Sequence, residues 1–126
     1  SEIKGAVTSV KNLANVYMDT SMVMDPVVFH IIINEIGTRR LFYATDFPVA
    51  AMYGRRVRIM DHWVDAVLPG YPESAYRIAG KIRAIPMAWE IILGIKWAAY
   101  LAKIADKEIK AIFWENGIRI LKMVKR

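Results

Sequence analysis

Residues Asn15 to Pro48 constrain the fold most, because they read as a strand, a helix and a second strand joined by short links. That order is a βαβ unit and implies two parallel neighbouring strands. The first run, Val16-Tyr17-Met18-Asp19-Thr20-Ser21, is β-branched and aromatic and ends in polar residues. Asp25-Pro26 then offers an N-cap followed by proline at the first helical position. The helix carries Val27, Val28, Ile31, Ile32 and Glu35, and Gly37 suits the left-handed residue that ends it. His30 lies among these apolar residues and reads as a helix-face histidine. The second run, Arg40-Leu41-Phe42-Tyr43-Ala44-Thr45-Asp46-Phe47-Pro48, is rich in aromatics. It stops near Pro48, which lacks a backbone N–H and holds Phe47 extended. Asp46 therefore sits at the C-terminal end of the strand, where α/β proteins place chemistry. Alternation puts Phe42, Ala44 and Asp46 on one face, with the small Ala44 leaving room beside the carboxylate. Asp46 either caps the following turn or serves a ligand, and the local sequence leaves both open.

The remaining segments read as helices. Ile3, Val7, Val10 and Leu13 mark one before the first strand, and Asn15 breaks the pattern. Between 49 and 105 no strand is expected. A helix is expected over Arg56–Leu68, carrying Ile59, His62, Trp63 and Val67, with Pro69-Gly70 ending it. A turn at Tyr71–Ser74 leads into a helix from about Glu73 to Ile85, and Pro86 opens another that runs to about Ile104. Asp106 caps a helix with Ile109, Ile112 and Phe113. Asn116-Gly117 marks a break or kink, and Ile118–Val124 is the last helix, with Lys122, Lys125 and Arg126 near its C-terminus.

The chain has 126 residues, the size of one domain, and 56% of them are hydrophobic, which is ample for a core. The absence of cysteine excludes disulfides and thiolate metal sites within these residues. His30 and His62 are too few for a histidine metal cluster. The net charge of +6 is scattered and no nucleic-acid motif frames it, so nucleic acid is not an expected partner. Glu90, Lys96 and Lys103 interrupt the most apolar stretch, Ile85–Ala105, so no membrane span is expected. With no basic segment and apolar core of a signal peptide at the N-terminus, the expected location is cytoplasmic.

Two strands cannot form an independent sheet with two buried faces, so the chain reads as part of a larger α/β structure. Three segments carry a resemblance in this order: Asn15-Val16-Tyr17-Met18-Asp19-Thr20-Ser21, Arg40 to Pro48, and Ile112-Phe113-Trp114-Glu115-Asn116-Gly117-Ile118-Arg119-Ile120-Leu121. Together they resemble the C-terminal third of the amidohydrolase-related metal-dependent hydrolases, a TIM-barrel superfamily that also holds non-oxidative decarboxylases. The resemblance implies a helix-rich α/β fold: the seventh and eighth strands of the barrel with their helices, then a helical insertion. The single partial domain would divide into a βαβ portion (1–48), a helical insertion, lid or oligomer contact (49–105), and C-terminal helices (106–126).

The resemblance also implies that Asp46 is the barrel aspartate that binds the divalent metal, zinc first among candidates, or acts on its water. Asn116 would be structural, fixing the turn before the last helix. Asp19, Thr20 and Ser21 would lie at the mouth of the seventh strand, where they contact substrate or cap the strand. The family's remaining ligands, a His-x-His pair on the first strand and histidines on the fifth and sixth, cannot lie in this chain, and Gly117 stands where the family usually has Ala. The function implied is the C-terminal portion of a hydrolase acting on a small carboxylic or cyclic substrate. The alternatives are a decarboxylase of the same superfamily, or a non-catalytic fragment or oligomerising helical protein. A basic module on an acidic partner or membrane surface is a further alternative, marked by salt-dependent binding. One carboxylate cannot hold a catalytic zinc, so the expected partners are a missing N-terminal barrel segment or further copies of the chain.

Overall fold

A carboxylate followed by proline settles where the central helix begins. In the computed structural model, which describes residues 2–59, 62–68 and 85–124, helix α1 (Glu2–Val10) leads into a short strand, β1 (Met18–Asp19). Helix α2 (Pro26–Glu35) follows, and the Asp25 carboxylate accepts the Val27 N–H at 2.9 Å, satisfying a donor that the first turn leaves without a partner. Gly37, at φ 87°, donates to the carbonyls of Ile32 and Ile33 and turns the chain out of the helix. After a 3-10 turn at Thr38–Arg40, strand β2 (Leu41–Phe42) runs parallel to β1, with Met18 opposite Leu41 and Asp19 opposite Phe42. The βαβ unit is present.

Its strands are shorter than the aromatic runs suggest, for local reasons. The Asp19 carboxylate accepts the Ser21 N–H at 2.8 Å, which turns the chain, and Met22 follows at φ 58°. Beyond Phe42, the Tyr43 N–H donates to the Ile112 carbonyl of the C-terminal helix at 2.8 Å instead of to β1. The face shared by Phe42, Ala44 and Asp46 therefore does not extend to Asp46, whose φ is 61°.

The helix expected over 56–68 is not formed. Strands β3 (Tyr53–Ile59) and β4 (His62–Leu68) pair antiparallel instead, with Arg56 opposite Asp65, Val57 opposite Val64 and Arg58 opposite Trp63. Ile59, Trp63 and Val67 have helical spacing, but Arg56-Val57-Arg58-Ile59 also alternates polar with apolar. Facing partners across the hairpin, an ion pair among them, decide between the two periods. The stretch from 49 to 105 thus holds a hairpin and a helix among its described residues, not a purely helical insertion. The turn expected at Tyr71–Ser74 and all but the end of the helix expected over 73–85 lie outside the described residues.

Helix α3 (Met87–Ala102) opens after Pro86 as expected and ends at Lys103, which is left-handed at φ 53°. It buries Met87, Ile91, Gly94, Ile95, Ala98 and Ala99, one stripe of the 3.6-residue period. That stripe packs on α2, and the shared core holds Met24, Phe29, Leu41 and Ile112, all fully buried. Gly94 makes the approach possible, because a Cβ there would lie 2.9 Å from the Met24 carbonyl oxygen and 3.2 Å from the Phe29 ring. Among the described residues no helix is long and apolar enough to cross a membrane.

Helix α4 (Asp106–Lys110), a π-helical turn (Ala111–Glu115) and helix α5 (Asn116–Val124) run on without the break expected at Asn116-Gly117. Ala105, not Asp106, occupies the N-cap position, and Glu108 accepts its N–H at 3.1 Å. Asn116 is helical (φ −66°, ψ −44°) and 3% exposed. Its side-chain amide donates to the carbonyls of Thr38 and Leu41, both at 2.8 Å. The C-terminal helix is thereby fastened to both ends of the turn that delivers β2, and the Tyr43 and Phe113 rings pack 5.1 Å apart beside it.

Candidate functional site

The two parallel strands create two unlike ends. At their amino ends the arginines are spent on backbone: Arg40 donates to the carbonyls of Lys11 and Leu13, which close the end of α1, and Arg119 donates to the carbonyl of Arg39. A groove of about 540 Å³ between them is lined by Tyr17, Arg39, Arg40 and Arg119, with α1's end beside it. Guanidinium groups bound to helix-terminal and turn carbonyls hold the structure together.

At the carboxyl ends lie Asp19, Thr20 and Ser21, with Asp46 in the loop after β2. Thr20 is fully buried, its hydroxyl donating to the Ala44 carbonyl at 2.8 Å and accepting the Ala44 N–H at 3.0 Å. That reciprocal pair continues the parallel ladder through a side chain and ties the loop after β1 to the loop after β2. Thr20 is therefore engaged as a clamp, and Asp19 forms the turn to Ser21. Ser21 is half-buried beside them.

Asp46 differs from these. It is exposed, left-handed, and its backbone carbonyl accepts the N–H of Val49 at 2.9 Å. The Phe47–Pro48 bond that follows is cis. Among the described residues no hydrogen bond or ion pair engages the Asp46 carboxylate. A left-handed non-glycine residue costs of the order of 1 kcal/mol, and Asp and Asn bear it best. Met22, in the facing loop, carries the same conformation.

The hairpin brings basic groups to this end. The Arg56 N–H donates to the Met24 sulfur at 3.1 Å and Arg58 pairs with Asp25 at 3.5 Å, so β3 lies against the loop between β1 and α2. The Arg56 guanidinium grips Asp65 through two bonds of 2.6 and 2.9 Å. This hydrogen bonding holds the Asp65 carboxyl below its usual range and raises Arg56, to which the charge of Asp46 adds a smaller contribution. A shallow groove of about 300 Å³ runs along Asp25, Arg55, Arg56, Val57 and Arg58. Arg56 and Asp65 escape a sequence reading that makes 56–68 a helix; the alternation of Arg56 to Ile59 is the signal that reveals them.

Neither histidine belongs to a metal-holding group among the described residues. His30 lies on α2 with its Nε2 2.9 Å from the Asn34 amide, and His62 begins β4. Among the described residues no three His, Asp or Glu side chains converge as a metal site. Among the described residues this end thus offers one unengaged carboxylate, Asp46, which fits a single position of a divalent metal and not a whole coordination sphere. No family model, curated protein or solved structure matches the chain significantly.

Proposed function

We propose that the chain is the C-terminal portion of a metal-dependent hydrolase of the amidohydrolase superfamily, contributing the last two strand–helix units of a TIM-type barrel. Asp46 is the residue it supplies to the metal and water site. The observation that carries this reading is the Asp46 carboxylate: exposed and unengaged among the described residues, in the loop that follows the carboxyl end of β2, a strand parallel to its neighbour. In α/β folds that end is where ligands bind. An ionised carboxylate there serves as a hard ligand or takes a proton from water.

Asn116 is structural in a different way from the one the resemblance implies: it fixes no turn before the last helix, but from within the helix fastens it to the turn before β2. Asp19, Thr20 and Ser21 then shape the mouth rather than perform chemistry, and substrate meets the arginines of β3. The remaining ligands come from barrel strands outside these residues, and this chain alone does not turn over substrate. A decarboxylase of the same superfamily would place Asp46 identically.

The test is made on the native gene product purified from its source. Its metal content is expected to be close to one divalent ion per barrel, zinc first. Asp46→Asn is expected to lower that content and abolish turnover while leaving the far-UV circular dichroism unchanged, since Asn tolerates the left-handed backbone. Assays on ester, amide and carboxylate substrates, with released CO2 monitored, separate hydrolase from decarboxylase. A metal-free native product with neither activity would overturn the proposal.

A further inference from the structure

Helix α3 is apolar on both sides. Opposite its buried stripe stand Trp89, Leu93, Trp97, Tyr100 and Leu101, which recur every three or four residues and are 43–75% exposed. Lys96 and Lys103 lie at one margin of this second stripe, and Glu90 is paired with Arg55 at 3.4 Å. A helix that is apolar all round belongs inside an assembly, and contiguous exposed aromatics of this size mark interaction surfaces. We infer that this face is the interface of a homodimer in which α3 packs antiparallel on its own copy, about a two-fold axis at the level of Ile95.

Two observations select a second copy as the occupant. The stripe is self-complementary: about the level of Ile95, an antiparallel mate sets Trp89 against Leu101 and Leu93 against Trp97. Each large ring then meets a smaller side chain, as interdigitating ridges require. The same symmetry brings Tyr100 level with Glu90, whose carboxylate is held by Arg55 at 3.4 Å, and both lysines reach water from the margin. The area is also sufficient. With a large aromatic side chain worth roughly 150–250 Å², the five residues offer about 600 Å² per copy. The pair then buries about 1,200 Å², where specific stable interfaces begin. Met52 and Tyr53, both exposed, extend the surface beside the start of α3, where Met52 accepts the Met87 N–H at 2.9 Å. The inference uses nothing from β1, β2 or Asp46 and stands apart from the catalytic reading.

Sedimentation equilibrium on the full chain is expected to show a dimer at micromolar concentration. The double variant Leu93→Glu/Trp97→Glu is expected to weaken it by about 100-fold or more, with the far-UV circular dichroism unchanged. Should that variant fail to fold, Trp97→Ser is expected to weaken the dimer measurably by the same assay. Because the chain has no cysteine, single cysteines report geometry: mixed Leu93→Cys and Trp97→Cys chains are expected to form the 93–97 disulfide in preference to either like pair. A monomer throughout would overturn the inference. So would an association that the folded α3 variants leave intact, which would locate the contact elsewhere, on the open strand edges for instance. Preference for 93–93 and 97–97 disulfides would refute the antiparallel arrangement. A chain monomeric in buffer that uses this face to bind phosphatidylcholine–phosphatidylglycerol vesicles would show a membrane surface as the occupant instead.

Discussion

Asn116→Ala removes the joint that places β2, and with it the position of Asp46. The amide makes two hydrogen bonds of 2.8 Å from a site only 3% exposed. Each contributes about 1 kcal/mol net, and a carbonyl left short of a partner costs more. The Thr38 carbonyl keeps the Leu41 N–H as a second donor, which limits its loss, whereas the shortened side chain leaves a space that cannot fully close. The expected destabilisation is about 2–3 kcal/mol. That is a large part of the roughly 5–15 kcal/mol that holds a domain together. Urea unfolding followed by far-UV circular dichroism should show a midpoint lowered by about 1–2 M at unchanged slope. Asn116→Asp keeps the shape but points a carboxylate at two carbonyl oxygens, and is expected to cost more than alanine. A loss below about 0.5 kcal/mol for alanine, or an Asp variant milder than alanine, would refute the argument that the amide acts as a buried double donor.

Thr20→Val preserves shape but strands the Ala44 N–H and carbonyl, and should cost about 2 kcal/mol, whereas Thr20→Ser should cost under about 1 kcal/mol; thermal unfolding of the two variants checks the contrast. Gly94→Ala gains about 1 kcal/mol of helix propensity, yet its Cβ meets the Met24 carbonyl oxygen at 2.9 Å. A net loss of about 1–2 kcal/mol is expected in urea unfolding. The Arg56–Asp65 pair has a pH signature. With its folded value held low, Asp65 contributes stability that is present above the ordinary carboxylate range and lost as pH falls through the lowered value. Side-chain exposures of 32% and 44% keep the effect to about 0.3–1 kcal/mol. Asp65→Asn should therefore flatten the acid limb of a stability–pH curve by that amount and leave its alkaline limb unchanged.

What was legible in the chain is what local chemistry decides. Asp25-Pro26 can begin a helix and Gly37 can end one whatever surrounds them, and α2 lies between them. Pro86 likewise opens α3, whose buried positions fall on one stripe of the helical period. Because two strand-forming runs flank a helix with short links, their parallel pairing follows from connection geometry. The carboxyl end of that pair, with Asp19 and Thr20, could be placed before any coordinates, whereas Asp46 lies in the loop beyond β2.

Other features depend on partners distant in sequence. Residues 56–68 satisfy a helical and an extended period at once, and only the facing of Arg56 with Asp65 and Val57 with Val64 selects the hairpin. The strands stop after two residues because Tyr43 donates its N–H to Ile112, 69 positions away by their numbering, and Asp19 turns the chain locally. Asn116 reads as a helix breaker from its own propensity, yet it stays helical because two carbonyls 75 and 78 residues earlier take its amide. Side-chain period and end groups act within a few residues and are written in the sequence. Hydrogen-bond partners for buried polar groups are assigned only when the chain closes on itself, so the tertiary structure decides them.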